Sequence, residues 1–236
     1  MKTLYEIFNV GIVRYLFGTR AELDGIVQYN ISGIYIIPAL VLILLIAYLL
    51  GSINFAMFIS KRKYKDDIRE HGSGNAGMTN MMRTYGKKAA GLTLAGDALK
   101  TLIAVLIGYL VMGGDGAYVA GLGAIIGHTW PLYYNFKGGK GVVTTITMIL
   151  CTSPLVGLIL LCIFVAIVAM TKFISLGSIM GALLYPLILS AFSKYFTLPQ
   201  LIVCFSVVFL VVFNHRSNIK RLMEGTENKF SFKKSK

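Results

Sequence analysis

Charged side chains are scarce in this sequence, since Asp, Glu, Lys and Arg together make up only 14% of its 236 residues. Hydrophobic residues make up 56%, which is too large a share for an ordinary soluble domain. Acids are the scarcest group in the apolar runs, where Asp97 is the one acidic residue inside a predicted span. A single carboxyl group argues against a proton relay, which membrane transporters build from several carboxylates.

Several motifs of catalysis and metal binding are also missing. Cys151, Cys162 and Cys204 lie in apolar runs without disulfide or metal spacing, so we interpret them as packing residues. No serine stands in a Gly-x-Ser-x-Gly sequence, and no cluster of residues has metal-ligand spacing. The sequence therefore predicts neither a metal nor a cofactor. A signal peptide is not expected, because the first apolar run is long and lacks a small-residue cleavage site.

Long, mostly uncharged runs predict an all-α, polytopic integral membrane protein. The runs are residues 34–60, 88–112, 117–134, 141–171, 175–192 and 199–213. Residues 1–33 mix apolar and charged side chains, and are either an interfacial helix followed by a loop or a poorly ordered extension. We therefore divide the chain into an N-terminal extension, 1–33, and a single membrane domain, 34–236.

Positive charge predicts the orientation of the chain in the membrane. The net charge is +13, with eight Lys/Arg in the loop 61–88 and seven in the tail 214–236. The turns expected at 113–116 and 152–154 carry none. Cytoplasmic segments are enriched in these residues, so the basic segments report orientation and not nucleic-acid binding, and we place both in the cytoplasm.

The run 141–171 decides how many spans the chain has. As one long helix it would leave the tail outside the cell, whereas a hairpin that turns at Pro154 brings the tail inside. We therefore predict about seven transmembrane helices, with an outer N-terminus and a cytoplasmic C-terminus. The two hairpin helices are shorter than the ~20 residues that usually cross a bilayer. This arrangement brings four polar segments to the cytoplasmic face: 61–87, 135–141, 172–178 and 214–230.

The stretch Gly138-Gly139-Lys140-Gly141 is the strongest candidate for an anion site. Its glycines expose backbone N–H groups, the helix that follows adds its positive end, and Lys140 adds a point charge, so phosphate is the expected ligand. It is not a P-loop, because Tyr134 and Gly141 stand where that motif needs glycine and a hydroxyl residue. The alternative is a glycine-rich membrane turn with a snorkelling lysine.

The first basic loop contains a second glycine-rich stretch, residues 72–77, which spells Gly-x-Gly-x-x-Gly. A dinucleotide fingerprint needs a preceding strand, and here a membrane span and a charged run precede it, so we reject that interpretation. The stretch is instead either an oxyanion-binding loop or an ordinary polar turn. Its candidate ligands are Ser73, Gly74, Asn75, Thr79, Asn80 and Arg83.

Three further sets of polar residues lie in or next to spans. Asp97 and Lys100 are three residues apart, so they either form a buried structural pair or present Lys100 to a site. His128 is expected to be either a packing histidine or an interfacial anchor at a helix end, beside the single tryptophan. His215 and Asn218 share a helix face in a basic segment, which either contributes to a site or binds anionic lipid.

Together these stretches resemble the bacterial acyl-phosphate:glycerol-3-phosphate acyltransferase family, PlsY. The resemblance covers about residues 40–230. It is carried by Leu50–Ile53, Asp67–Arg69, Gly72–Asn80, Gly127–His128, Phe136–Gly141, Ser175–Ile179 and His215–Leu222. The sequence departs from the family pattern at Asn54, where proline is usual, and at Met78, where alanine is usual.

The resemblance implies transfer of a fatty acyl group from acyl phosphate to the 1-hydroxyl of glycerol 3-phosphate, which gives lysophosphatidic acid and phosphate. The family uses neither acyl-CoA nor a metal. This agrees with a missing pattern, the histidine with an acid five residues later that many glycerolipid acyltransferases carry: Ala76, Tyr133 and Lys220 stand at those positions. The implied location is the plasma membrane, and the implied partners are membrane lipids and a soluble enzyme that produces acyl phosphate.

The residues and the resemblance together give a predicted site. We expect Ser73, Arg83, Lys140 and His215 to be catalytic, and Gly74, Asn75, Thr79, Asn80, Lys100, Gly138, Gly139, Ser178 and Asn218 to bind substrate. The N–H groups near Gly138 and Gly139 are candidates for stabilising the reaction's oxyanion. The proton acceptor for the attacking hydroxyl is either His215 or an oxygen of the donor phosphate, and we favour the second because cations surround His215.

Two other functions remain to be weighed against acyl transfer. A transporter or channel for a phosphorylated solute would also use glycine-rich breaks and basic residues, but such proteins place their sites near the bilayer midplane and often in repeated halves. No internal repeat is visible here. A lipid-binding scaffold is supported only by the basic tail.

Overall fold

The computed structural model describes residues 10–23, 26–193 and 195–230. Helices dominate this part of the chain. They are α1 (Ile12–Phe17), α2 (Gly33–Gly51), α3 (Phe55–Ile59), α4 (Met78–Tyr85), α5 (Lys87–Thr129), α6 (Val142–Thr152), α7 (Pro154–Thr171), α8 (Ile174–Phe192), α9 (Leu198–Asn214) and α10 (Arg216–Met223). Single turns of π-helix at Ser60–Tyr64 and of 3₁₀-helix at Ile68–Glu70 and Leu132–Tyr134 lie between them.

The N-terminal extension differs from the loop expected for it. After α1 it forms an antiparallel hairpin of β1 (Thr19–Leu23) and β2 (Ile26–Asn30), in register from Thr19 opposite Asn30 to Leu23 opposite Ile26. The fold class is therefore all-α with one short hairpin attached. Residues 1–9 of the extension lie outside the described residues.

The first predicted span, 34–60, is broken near its end. Helix α2 stops at Gly51, and α3 starts afresh after Asn54, whose side chain accepts a hydrogen bond from the Met57 N–H (3.0 Å). The amide of Asn54 also donates to the Ala76 carbonyl (3.2 Å), which ties α3 to the glycine-rich loop. Asparagine at this unusual position thus both caps a helix and holds a loop.

Helix α5 folds back on itself at Met112 and Gly113, which alone have non-helical backbone angles within it. Gly113 has φ 63°, a conformation that favours glycine. The two arms then cross closely, because a Cβ on Gly108 would lie 2.2 Å from the Gly116 carbonyl oxygen. The corner is shorter than the expected turn at 113–116, since residues 114–116 already belong to the second arm.

The uncharged run 141–171 forms two helices, as its hairpin interpretation requires. Ser153 is extended between α6 and α7, and Pro154 starts α7, where its missing N–H leaves no hydrogen bond unmade. Gly157 packs against Leu150, so the second helix returns beside the first. With 11 and 18 residues, both helices are shorter than the ~20 residues that usually cross a bilayer.

A continuous core joins the second arm of α5 to α6, α7, α8 and α9. Its largest fully buried side chains are Ile125, Met148, Tyr185, Val203, Val207 and Val211. Helix α2 packs on α5 through glycines, since Gly51 meets the Ala124 backbone and Gly127 meets the Tyr48 backbone. Small residues at such crossings are typical of membrane helices, because they let backbones approach.

Large apolar side chains remain exposed around the bundle, as expected where lipid is the solvent. Four helical stretches among the described residues are long and apolar enough to cross a bilayer, and the bent pair α9 and α10 would make a fifth. One of the four, Lys87–Tyr134, contains the corner at Gly113 and so consists of two arms. The count of seven spans and the sidedness stay predictions.

One end of the bundle is closed by the extension. Arg14 of α1 pairs with Asp115 beside the α5 corner, and the same carboxylate accepts the Thr197 hydroxyl at the start of α9 (2.5 Å). Gly11 lies directly against the backbone of Gly113. This end, which we call the strap end, lies opposite the end where the polar loops gather.

Candidate active site

The four polar segments predicted to converge meet around one cleft. The cleft has a volume of about 360 Å³ and is lined from residues 73–83, 140–149, 174–182 and 211–230, with further side chains from α5 and α7. One part is polar and cationic. The rest is apolar, so the cleft has the shape of a site for a molecule with a charged head and a hydrocarbon tail.

Asn80 organises the glycine-rich loop at the mouth of the cleft. Its carbonyl oxygen accepts the Ser73 N–H (3.0 Å), and its amide donates to the carbonyls of His71 (2.9 Å) and Ile68 (3.1 Å). A Cβ on Gly72 would lie 2.3 Å from this Asn80 oxygen. Asn80 is buried, and both of its amide N–H groups and one lone pair of its oxygen are used within the protein, so it shapes the loop that presents Ser73 and Asn75 to the cleft.

Helix α4 brings two further predicted residues into the cleft. Thr79 and Arg83 are four residues apart, so they share one face, and both line the cleft. The helix begins at Met78, and its positive end faces the same space. Burial lowers the pKa of Arg83 below its usual value, with Arg221 adding to the effect and Glu227 opposing it.

The Gly-Gly-Lys-Gly stretch contributes to the cleft in a way that differs from the prediction. The N–H groups of Gly138 and Gly139 donate to the carbonyls of Thr129 and His128, both at 3.1 Å, and so complete the end of α5. These two groups are therefore already used and do not point to a ligand. Lys140 lies just beyond them and lines the cleft.

Helix α6 starts directly after that stretch. Gly141 lines the cleft at φ 80°, and α6 begins at Val142. The N–H groups of a helix's first turn have no intrahelical acceptor and carry its positive end. The first turn of α6, with Val142 and Val143 at the cleft wall, thus provides the backbone donors that were expected at Gly138 and Gly139.

A hydrogen-bonded chain links Lys140 to the C-terminal tail. The Lys140 ammonium donates to the Asn218 side-chain oxygen, and the Asn218 amide donates to Glu227 (2.6 Å). Ser175 (2.7 Å) and Arg221 (2.7 Å) also donate to the Glu227 carboxylate. Burial, helped by Arg221 and Arg83 and opposed by Glu227, lowers the pKa of Lys140 to about 8.

Glu227 and Asp97 are the two acidic residues that line the cleft among the described residues. Burial alone would raise the pKa of Glu227, but hydrogen bonds from Asn218, Ser175 and Arg221 outweigh burial, and the pKa lies below the usual value. The carboxylate is therefore charged at neutral pH. It offsets part of the positive charge and fixes the orientation of Asn218 toward Lys140.

His215 lies at the junction of α9 and α10, buried in the cleft wall. Its Nδ1 is 2.7 Å from the Val211 carbonyl oxygen, so Nδ1 carries the proton and Nε2 is an acceptor. Burial lowers the pKa of His215 to about 4, the Val211 hydrogen bond opposes this, and nearby Lys140 lowers the pKa further. His215 is thus a neutral acceptor of hydrogen bonds at neutral pH.

The apolar wall is formed largely by α6, α7 and α8. Leu160, Leu161, Phe164 and Val168 of α7 line it, and only 17% of α7 is buried in the protein. Ser178 is a polar group in this part of the cleft, but its hydroxyl donates to the Ile174 carbonyl of its own helix (2.9 Å). The Ser178 oxygen can still accept a hydrogen bond.

Four predicted residues do not line this cleft: Gly74, Lys100, Gly138 and Gly139. Gly74 and Gly138 line a separate polar pocket with the Asp67–Arg69 ion pair. Lys100 is buried, and its ammonium is held by Ile53, Asp97 and His128. Of the two interpretations of Lys100, the contacts therefore match the buried structural pair with Asp97.

The sequence did not single out Glu227, Ser175 or Arg221, and it assigned His128 to packing or to anchoring at the membrane interface. All four line the cleft. Glu227 reaches it because Gly225, at φ 70°, turns the chain back after α10, and because the Phe230 N–H donates to the Lys172 carbonyl (2.6 Å). No local pattern marks these residues, although Ser175 and Arg221 stand inside stretches that carried the resemblance.

Comparisons with known proteins agree with one another. Residues 41–225 match the family model described as glycerol-3-phosphate acyltransferase. A glycerol-3-phosphate acyltransferase of Thermoanaerobacter pseudethanolicus is 47% identical over 195 residues, which are 82% of this chain and 96% of that protein. The enzyme of the same name from Halalkalibacterium halodurans is 44% identical, over 80% of this chain and 94% of that protein.

Two solved structures share the fold. Both are described as PlsY (YgiH), an integral membrane glycerol 3-phosphate acyltransferase, in a glycerol 3-phosphate form and a lysophosphatidic acid form. They are 35% and 34% identical to this chain, with TM-scores of 0.76 and 0.74. In each case the match covers 82% of this chain and 96% of the other. The whole extension, residues 1–33, precedes the region matched by the family model.

Proposed function

This chain belongs to the glycerol-3-phosphate acyltransferase family, and we propose that its cleft transfers a fatty acyl group from acyl phosphate to the 1-hydroxyl of glycerol 3-phosphate. The hydroxyl oxygen forms an ester bond with the acyl carbon as the bond from that carbon to the phosphate oxygen breaks. The hydroxyl proton leaves with the phosphate, and the products are lysophosphatidic acid and inorganic phosphate.

The observation that carries this proposal is the joining of a cationic end and an apolar wall in one cleft. Both substrates carry phosphate, and only the donor carries a hydrocarbon chain. Two like-charged phosphates repel each other, so the protein must hold them together and offset that repulsion. Arg83, Lys140 and the first turns of α4 and α6 supply positive charge where the phosphates would meet, and Phe164 and its neighbours face the acyl chain.

The predicted residues take the following roles in this proposal. Ser73, Thr79 and Arg83 bind one phosphate, and Lys140 with Asn218 binds the other. Glu227 holds Asn218 in place and does not contact substrate. The reaction's oxyanion is stabilised by N–H groups in the first turn of α6, since those of Gly138 and Gly139 are used elsewhere.

His215 orients the attacking hydroxyl by accepting its hydrogen bond at Nε2. With a pKa of about 4 it is a weak base, so the final proton acceptor is an oxygen of the donor phosphate, as favoured from the sequence. Kinetics of H215Q separate the two roles. A fall in kcat of only a few-fold with a raised KM fits orientation, whereas loss of nearly all kcat would establish His215 as the base.

The experiment for the reaction itself is phosphate release by detergent-purified protein. Palmitoyl phosphate with glycerol 3-phosphate is compared with palmitoyl-CoA and with each substrate alone. We expect release that needs both palmitoyl phosphate and the acceptor, with the CoA ester inert. If folded protein releases no phosphate, the proposed acyl transfer is refuted. The alternative function, transport of a phosphorylated solute, would then be tested by uptake assays.

Location, partner and domain limits complete the proposal. The exposed apolar surface and the membrane relatives support a membrane protein, and we take that membrane to be the plasma membrane, as the family resemblance implies. The basic loop 61–88 and the basic tail 214–236 favour a cleft that faces the cytoplasm. A soluble enzyme that makes acyl phosphate would then reach the cleft from the cytoplasm. We assign catalysis to residues 34–236 and treat 1–33 as an addition to it. Labelling of single cysteines introduced into both loops would test the sidedness.

A further inference from the structure

His128, at the end of α5, is a buried histidine with an unusual set of neighbours. Its side chain is 4% exposed, and its Nδ1 lies 3.1 Å from the Lys100 ammonium. The same ammonium donates to Asp97 (2.7 Å) and to the Ile53 carbonyl at the end of α2 (2.7 Å). Three helical segments thus contribute to one buried polar cluster.

The cluster determines which ring nitrogen of His128 carries the proton. An ammonium has three N–H bonds, and Lys100 directs one each to Ile53, Asp97 and His128. Nδ1 also lies 3.4 Å from the Asp97 carboxylate, but the Lys100 ammonium is nearer, so we assign the acceptor role to Nδ1, which leaves the proton on Nε2. A second proton on the ring would put two positive charges 3.1 Å apart in a buried place, which is strongly unfavourable.

The proton on Nε2 has no acceptor within the described part of the chain. Nε2 lies directly beneath Gly139, where an added Cβ would be only 2.1 Å from it. The ring also forms part of the wall of the cleft that Lys140 lines. A fixed donor in a substrate cleft, with no hydrogen-bond partner among the described residues, is an arrangement that a ligand oxygen would complete.

We propose that His128 donates a hydrogen bond from Nε2 to a negatively charged oxygen of the bound substrate in the same cleft as Lys140, and that Lys100 and Asp97 hold the ring in the required tautomer. This inference rests on the proposed function. The oxygen belongs either to a phosphate or to the acyl carbonyl as it gains charge in the transition state. In both cases a neutral, fixed N–H donor stabilises the charge by hydrogen bonding and keeps its proton.

Two substitutions at the same residue separate this role from structural support. The terminal amide of glutamine reaches the place of Nε2, whereas the amide of asparagine reaches only the place of Nδ1. We expect H128Q to keep kcat/KM within about ten-fold of the wild type, and H128N to lose roughly 10²–10³-fold, as for removal of one oxyanion donor. H128N with activity equal to or above that of H128Q would overturn the proposal.

The kinetic constants of H128N identify the oxygen. A raised inhibition constant for inorganic phosphate, together with a raised KM, indicates a phosphate oxygen. A lowered kcat with unchanged phosphate inhibition indicates the acyl carbonyl. If the wild-type protein is active and H128N has the same activity, this inference alone is refuted. If the folded wild-type protein is inactive, the proposed reaction is refuted.

If the variants do not fold, a spectroscopic measurement on the wild-type protein tests the proposal instead. The sequence has three histidines, so wild-type protein labelled with ¹⁵N-histidine gives few ring signals, and those of His71 and His215 can be assigned by substitution. We expect His128 to show a proton on Nε2 alone, with a shift of that signal when inorganic phosphate is added. A proton on Nδ1 would overturn the proposal. It would also be overturned if the signal of active protein did not respond to phosphate and H128N had the same kcat as the wild type.

Discussion

Lys140 gives the sharpest test of the cleft's electrostatics. Burial among other cations lowers its pKa from 10.5 to about 8, which corresponds to about 3 kcal/mol against the charged form. Only the charged form attracts phosphate. The free enzyme should therefore lose its affinity for substrate as the pH rises through about 8, and kcat/KM should fall about ten-fold for each further pH unit.

Bound substrate should reverse this effect. A unit negative charge about 4 Å from the ammonium contributes roughly 4 kcal/mol at an effective dielectric constant near 20. That interaction exceeds the cost of charging Lys140, so the lysine in the complex regains its proton. We therefore expect the alkaline limb near pH 8 in kcat/KM and its absence, or a shift to much higher pH, in kcat.

The matched variant is K140R. Arginine keeps its charge at all accessible pH values, so the limb should disappear from kcat/KM even though the rate falls by roughly ten-fold with the altered geometry. The assay is phosphate release from palmitoyl phosphate across pH, corrected for hydrolysis without protein. An unchanged limb in K140R, or an equal limb in kcat and kcat/KM, would refute the assignment to Lys140.

Three further predictions follow from named contacts. G139A should abolish turnover, because its Cβ would lie 2.1 Å from the His128 ring, whereas G91A, with nothing within 4 Å, should match the wild type in the same assay. E227Q should move the alkaline limb of kcat/KM to lower pH, since the carboxylate raises the pKa of Lys140, and a limb that stays in place would contradict this. D115N should lower the midpoint of thermal unfolding by a few degrees, because it removes the charge that pairs with Arg14 and one of the two oxygens that accept from Arg14 and Thr197, while kcat stays the same. An unchanged midpoint would show that the strap end adds no stability.

The sequence predicted the convergence of the polar segments because helix connections alone bring them to one end. Ser73, Thr79, Arg83 and Lys140 reach the cleft for that reason, and the break at Pro154 is encoded locally. The turn at 113–116 was placed correctly to within a residue or two, because its glycines favour a change of direction.

The parts that the sequence could not predict depend on contacts between distant segments. The N–H groups of Gly138 and Gly139 are consumed by the last carbonyls of α5, which no local pattern reveals. Asn80 was expected to bind substrate, but its amide is satisfied by residues 7 to 12 positions away. Glu227 reaches the cleft only because the tail turns back after α10.

The location of the apolar wall on α7 has a consequence for the kinetics. Because α7 is mostly exposed to lipid, a donor with a long chain can enter sideways and stay in hydrocarbon throughout. Its encounter with the protein is then a two-dimensional search, set by the mole fraction of donor in the membrane or micelle. Glycerol 3-phosphate arrives from water and responds to its molar concentration. Inert detergent added at fixed bulk concentrations of both substrates should therefore lower the mole fraction of the donor in the micelle and slow the reaction. The KM for glycerol 3-phosphate should stay constant.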